Sequence, residues 1–217
     1  MKKISLILFF IILCSVSVSA QQLRVRVFSQ QKIKQTSFVP SFGRYSVEID
    51  GNLTRLSRTS NVKLSALNGK VEVRINDSVF ANSEKVTFKS EGIKSFFRLK
   101  PITPEIAERR YDDALEVSVN GNGNLLLINV VEQENYIAGV VQSETWGATK
   151  NIDFFKVQAI CCRNYLFRNM NKHSKDGYHL CDDVHCQAYK TRANQAEVTE
   201  GAYKSRGEII VDENGEL

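Results

Sequence analysis

From Leu23 to Leu127 the chain mostly alternates apolar and polar residues, with breaks at Gly, Asn and Asp. Successive side chains on a strand point to opposite faces. LRVRVF, YSVEI, VKLSAL, KVEVRI, KVTFK, SFFRL, LEVSV and NLLLINVV therefore each predict a short strand with one buried face. Asp50-Gly51, Asn68-Gly69 and Asn120-Gly121 are dipeptides of the kind a tight hairpin needs, because its two central residues take positive φ. This half of the chain is expected to be a β-rich platform. Pro101 to Arg110 interrupts it with two prolines and a short polar piece, expected as a loop or boundary.

After Val131 the period changes. Tyr136, Ile137, Val140 and Val141 fall at helical spacing behind Glu132 and Glu134, acids that suit the positive end of a helix. That short helix is expected to carry Ser143, Glu144 and Trp146 at its C-terminal edge, with Gly147 permitting the turn beyond. A longer helix is predicted from Asn151, a good N-cap, with Asp153 in its first turn and Arg168 in its last. Phe154, Val157, Cys161 and Tyr165 are expected to form its buried stripe, widened by Phe155, Ile160, Cys162 and Leu166. Residues 171–192 hold all three histidines and read as a long loop. A third helix is predicted from about Asn194 to Ser205, stopped by Gly207, then a strand Glu208–Val211 and a hairpin turn over Asp212–Gly215.

The fold class this predicts is α+β: a leader at 1–20, a β-rich module at 21–100, then a mixed helix and strand region at 101–217 with a soft boundary between them. A strand entering an Asn-Gly turn needs a partner, yet only Glu216 and Leu217 follow, so the sequence is expected to continue beyond Leu217. The alternative is an edge strand with a frayed tail.

The leader is read from Lys2 and Lys3, the apolar run Ile4–Leu13 and the small-x-small end Ser17-Val18-Ser19-Ala20, which predicts export with cleavage near Ala20. A lipoprotein site at Cys14 and an uncleaved anchor are the competing readings; the apolar run is shorter than the ~20 residues that span a bilayer. Loss of the leader's two lysines takes the formal charge from +5 to +3. That mild excess suits a polyanionic wall polymer and falls short of a nucleic-acid footprint, so DNA and RNA are excluded as partners.

Chemistry concentrates between Glu134 and Tyr189. Glu144 stands two residues from the chain's only Trp, and Trp146 with Val140 and Val141 is expected to desolvate it, raising its pKa until it serves as a general acid. A solvated surface acid is the plain alternative. Arg163 sits in an otherwise apolar run, which leaves two readings: an ion pair with a core-edge acid, or a group that orients Glu144 or binds substrate oxygens. Cys181, His185 and Cys186 supply three ligands of a tetrahedral metal site, with His173 or His179 as the fourth. Export also allows a Cys181–Cys186 disulfide. Cys161 and Cys162 read as small apolar residues of a packed helix.

These motifs resemble the family of the stage II sporulation protein D and the amidase-modifier protein of bacilli, lytic transglycosylases of bacterial cell walls. The resemblance runs from about Tyr111 onward. Asn129 to Val141 (NVVEQENYIAGVV) looks like the family's approach to its catalytic segment, and Ser143-Glu144 matches its Ser-Glu, whose glutamate is the acid. Lys156-Val157-Gln158-Ala159 with Arg163 and Tyr165 follows its helix motif, and Gly177 to Tyr189 resembles a loop that binds zinc in some members. The chain departs from the family at Gln142, where a proline is usual, at Thr145-Trp146, where Met-Pro is usual, and at Asn164, where Thr is usual. It also lacks the Gly-Gly-containing segment that follows in the family.

The resemblance implies cleavage between N-acetylmuramic acid and N-acetylglucosamine. The muramic 6-hydroxyl attacks, a 1,6-anhydro product forms, and Glu144 is the single acid and base. Trp146, Gln158, Arg163, Tyr165, Asp182, Gln187 and Tyr189 are the residues expected to bind substrate or support the acid. Structural zinc on Cys181, His185, Cys186 and His173 would pin the loop. Peptidoglycan glycan strands are the expected partner. A non-catalytic glycan-binding protein that recruits a cell-wall amidase is the alternative.

Overall fold

The computed structural model describes residues 22–217, apart from the side chain of Ile93; the predicted leader with Cys14 lies outside the described residues. The alternating half folds into strands, the expected ones among them, with KVTFK and SFFRL joined in one: β1 (Gln22–Val27), β2 (Gln35–Ile49), β3 (Asn52–Leu56), β4 (Val62–Leu67), β5 (Lys70–Ile75), β6 (Ser78–Ser83), β7 (Lys85–Thr103), β8 (Arg109–Asp112), β9 (Ala114–Val119) and β10 (Leu125–Glu132). Alternation puts Leu23, Val25 and Val27 of β1 in the core and leaves Arg24 and Arg26 facing outward, partly exposed. The order in the sheet is β11-β1-β10-β9-β7-β2-β4-β5-β6, where β11 is Leu180–Cys181; β3 pairs with β2 and β8 with β7.

Asp50-Gly51 and Asn68-Gly69 have positive φ at both positions, as a two-residue hairpin requires. Asn120-Gly121 differs: the loop closes over more residues, with Asn120 N–H donating to the Asn124 carbonyl at 2.9 Å and Gly123 taking the positive φ. A hairpin absent from the sequence reading joins β5 to β6 through Asn76 and Asp77, both at positive φ. Asn and Asp tolerate that conformation without a glycine to announce it. The stretch expected as a loop from Pro101 to Arg110 is strand at both ends, since β7 runs to Thr103 and β8 begins at Arg109.

Two antiparallel partners, β2 and β7, run the length of the platform, with register shifts at Pro40/Phe42 and Phe42/Arg44. Proline has no N–H to give the ladder, and the irregularity falls beside it. One chain of rings then leads from this platform to the helices. Phe38 lies 4.9 Å from Phe97, Phe97 6.1 Å from Tyr111, Tyr111 5.4 Å from Tyr189, and Tyr189 5.0 Å from Tyr136. Each ring is buried, so this ladder fixes the helical layer against the sheet.

The first helix, α1, spans Gln133–Thr145. Its N-cap is Glu132, whose carboxylate accepts from the N–H groups of Glu134 and Asn135. Gly139 lets α1 approach closely, because a Cβ there would lie 2.4 Å from Tyr189 Cε2 and 2.9 Å from the Thr191 carbonyl. The second, α2 (Ile152–Asn169), is capped by Asn151 as predicted, through bonds from the Asp153 and Phe154 N–H groups. The third, α3, is Ala196–Lys204.

The buried face of α2 corrects the sequence reading. Phe155, Ala159, Cys162, Arg163 and Leu166 face inward, whereas Phe154 and Val157 are 44% and 61% exposed and Cys161 is exposed. Two adjacent stripes of this helix are apolar, so hydrophobic spacing could not choose the phase. Packing chooses it: a Cβ at Gly201 of α3 would sit 2.6 Å from Phe155 Cβ, and Arg163 pairs inward with α1.

The strand expected over Glu208–Val211 is also corrected. This segment belongs to no sheet. Instead Arg163 Nη1 donates to the Glu208 carbonyl at 2.9 Å, the Asn164 side chain accepts from the Ile210 N–H at 2.9 Å, and the Asn164 amide donates to the Ile210 carbonyl. A side-chain amide supplies the bonds that a neighbouring strand would have given. The turn at Asp212–Gly215 forms, with Gly215 N–H bonded to the Asp212 carbonyl at 3.1 Å. Among the described residues no helix is long and apolar enough to cross a membrane.

Candidate functional site

The last turn of α1 presents the predicted acid. Ser143 bonds back to the Gly139 carbonyl at 2.7 Å and accepts the Lys190 N–H at 2.9 Å, so it ties the helix end to the returning loop. Gln142 is a second tie, its oxygen accepting from the N–H groups of Asn194 and Gln195 at 3.2 Å each. Trp146 closes the helix in the left-handed region at φ 53°, its N–H bonded to the Gln142 carbonyl. Between these anchors the Glu144 side chain is exposed.

Glu144 Oε2 accepts from Gln158 Nε2 at 3.1 Å and from Cys162 Sγ at 3.7 Å. Gln158 was expected beside the acid and is there. Cys162 was not expected; Gln158 and Cys162 are four apart on α2 and share a face, a spacing visible in the sequence. The Cys162 thiol is pushed well up by burial, and further by the Glu144 carboxylate, so it remains a neutral donor.

The proposed desolvation of Glu144 by Trp146 is corrected. Trp146 is 83% exposed, Val140 and Val141 are fully buried in the core, and Glu144 remains exposed. The left-handed cap turns Trp146 away into solvent, an orientation no composition argument could foresee.

Of the two readings left open for Arg163, the geometry has the ion pair. Arg163 Nη2 lies 2.6 Å from Glu134 Oε2, with side-chain exposures of 0% and 1%. The guanidinium also donates to the carbonyls of Glu208 and, at 3.3 Å, Ala202. It contacts neither Glu144 nor the surface. The partner acid, Glu134, was read only as a helix-start charge, and its pairing with Arg163 comes from a contact 29 residues away in sequence.

The Cys/His loop assembles as a cluster. The ligand atoms of His173, Cys181, His185 and Cys186 lie within 4.8 Å of one another. Cys186 Sγ is 3.5 Å from His173 Nε2 and 3.7 Å from His185 Nδ1, and Cys181 Sγ is 3.7 Å from His185 Nδ1. His179 is elsewhere: its Nδ1 accepts the Arg24 N–H at 3.0 Å, so His173 is the fourth member. All four cysteines of residues 22–217 are free thiols, and the Cys181–Cys186 disulfide is not formed.

A Cys2His2 donor set with this spread fits a tetrahedral ion such as zinc. His173 also directs its outer nitrogen, Nδ1, at Asp176 Oδ2 3.3 Å away and stacks on Tyr178, the kind of outer support that orients a ligating histidine. The turn from Asp183 to Cys186, closed by a 2.8 Å backbone bond, is the kink that adjacent His185 and Cys186 need to face one point.

The other predicted residues support this loop from inside. Asp182 is 1% exposed and accepts from the N–H groups of Phe28 and Ser29, the Ser29 hydroxyl and Arg109 Nη1, at 2.6 to 3.0 Å. Gln187 accepts from the Tyr136 hydroxyl at 3.1 Å and donates to the Cys162 carbonyl at 3.3 Å. Tyr189 donates to Asn129 Oδ1 at 2.8 Å. Tyr165 donates to the His185 carbonyl at 3.4 Å. None of Asp182, Gln187 and Tyr189 reaches a surface where substrate could meet it, because all three are buried.

Every residue of the acid and of the Cys/His cluster falls inside one stretch, and residues 121–211 match the family model of the Stage II sporulation protein (SpoIID). The match falls on the family that the motifs of this stretch resemble. No curated protein and no solved structure gives a significant match to the chain. The SpoIID segment opens in the β9–β10 loop and includes all three helices, while β1 through β9 precede it.

Proposed function

We propose that the protein is an exported lytic transglycosylase of peptidoglycan with Glu144 as its acid and base. A SpoIID domain is consistent with a cell-wall function, and the family is associated with peptidoglycan lytic activity. The observation that carries the reading is the setting of Glu144: an accessible carboxyl at a rigid helix end, oriented at one oxygen by Gln158 and Cys162. Neither contact is a second carboxylate. A glycosidase that activates water needs two acids, whereas attack by the muramic 6-hydroxyl needs one group that protonates the leaving oxygen and then takes the hydroxyl proton.

His173, Cys181, His185 and Cys186 would hold zinc as a structural clamp. A bound zinc ion would cross-link the loop and leave the reaction to Glu144. The loop is coupled to the acid through this chain's own bonds, since Gln187 follows Cys186 and donates to the carbonyl of Cys162, whose thiol meets Glu144.

The second reading, a glycan-binding protein that recruits an amidase, draws on the exposure of Glu144. Incubation with purified peptidoglycan followed by mass spectrometry separates the two. Release of 1,6-anhydro-muramyl products is expected; glycan binding without them would leave the recruiting role.

A further inference from the structure

We propose a separate binding site for an anionic sugar unit, away from Glu144, in the cleft between the segment after β1 and the β9–β10 loop. The cleft has a volume of about 590 Å³, within the range of small-ligand sites and large enough for a disaccharide. Three cations line it, Arg26, Lys32 and Lys34, and no acid does. Elsewhere on this protein the cations are commonly matched with carboxylates, as Arg24 and Lys85 are with Glu116 and Arg192 is with Asp112. Here Arg26 meets the Tyr178 hydroxyl at 3.4 Å, Lys34 the Gly123 carbonyl at 2.5 Å, and Lys32 has no ion-pair partner among the described residues. A cleft with uncompensated positive charge is built for an anion.

The rest of the lining is amide. Gln30, Gln31 and three asparagines of the β9–β10 loop are there, and no aromatic or aliphatic side chain is. Amides offer a donor and an acceptor each, which matches hydroxyl and acetamido groups rather than an apolar ligand. Asn124 is the second observation. It is 7% exposed, its side-chain oxygen is buried, and that oxygen has no hydrogen-bond partner among the described residues. Buried polar atoms are nearly always satisfied, and this unsatisfied one belongs to a residue of the cleft wall. The loop is already shaped, because Asn120 Oδ1 accepts from the N–H groups of both Asn122 and Asn124 at 3.0 Å.

The sugar carries a carboxylate; the choice of muramic acid, whose lactyl ether ends in one, rests on the peptidoglycan reading above. The cleft adjoins the Cys/His loop: Arg26 touches Tyr178, which stacks on His173, and Ser29 on its rim is held by Asp182.

The test is calorimetric titration of the Glu144→Gln protein, which cannot turn over glycan, with two probes. One is the disaccharide of N-acetylglucosamine and N-acetylmuramic acid with a free lactyl carboxylate; the other is the same disaccharide as its lactyl primary amide. The acid is expected to bind roughly tenfold more tightly, the difference made by one charge-assisted hydrogen bond. Lys32→Glu, a change at an exposed side chain, is expected to abolish that preference, and Arg26→Gln to reduce it. Equal binding of the two probes, or an unchanged preference in Lys32→Glu, would overturn the proposal. Product release from peptidoglycan is read separately on the wild type. A carboxylate preference without products leaves this site standing and removes the enzyme reading, and products without the preference do the reverse.

Discussion

The Arg163 guanidinium lies 2.6 Å from the Glu134 carboxylate with both side chains out of solvent, joining α2 to α1 beneath the exposed acid. Two charges taken from water repay their desolvation only as a pair. Arg163→Met and Glu134→Gln are each expected to destabilise the fold by about 3–5 kcal/mol, because each strands a buried charge. The double variant is expected to recover part of that loss. Urea midpoints of the four proteins check it; additive losses would remove the pair from this role.

Glu144→Gln is expected to abolish release of anhydro products while leaving the free energy of urea unfolding within about 0.5 kcal/mol of wild type, as for an exposed side chain. Gln158→Ala, which removes the 3.1 Å donor to the carboxylate, is expected to lower kcat with little change in KM. Product assays by mass spectrometry with the midpoints alongside decide both. Full activity in Glu144→Gln would end the assignment of the acid.

One zinc ion per chain is expected on elemental analysis, lost in Cys181→Ser and Cys186→Ser. Burial pushes the Cys186 thiol up to about 11, so the thiolate needs the ion beside it. Chelation is expected to lower the melting temperature and to expose the loop to protease. A melting temperature indifferent to chelator, with no metal found, would return the cluster to four unligated side chains.

Asp112 gives stability a pH dependence with a definite sign. Burial raises its carboxyl from an ordinary value near 3.8 to about 6, against the opposing pull of Arg192. Between those values the folded chain holds a proton that the unfolded chain has lost, so this group's contribution falls as pH rises from 4 to 6. Asp112→Asn, which mimics the protonated form, is expected to gain on wild type by roughly 2–3 kcal/mol over that window. Urea unfolding at pH 4.5 and pH 7 measures it; a constant difference would contradict the shift.

Much of this architecture could be read from spacing. Period-two alternation gave β1, β4, β5, β9 and β10 nearly to the residue, and Asn151 marked the start of α2. What spacing missed was set by tertiary contact. The phase of α2 depended on Gly201 and Glu134, the final extended segment on the amide of Asn164, and the β5–β6 hairpin on Asn76 and Asp77 adopting a conformation usually flagged by glycine. At the site the same division holds. Residue types located Glu144, Gln158 and the Cys/His cluster, but the buried roles of Arg163, Asp182, Gln187 and Tyr189 follow from partners far away in sequence, which a local pattern does not encode.

The first described strand lies inside the sheet, with β10 on one side and β11 on the other. Arg24 bonds to His179, 155 residues along the chain, and Val25 pairs with Leu180. During synthesis this strand therefore waits, one edge bare, until residues 180 and 181 have been made. Such long-range closure slows folding and leaves an unpaired ladder exposed meanwhile. A chain interrupted before residue 180 would keep that edge, and with it a template for association with other chains.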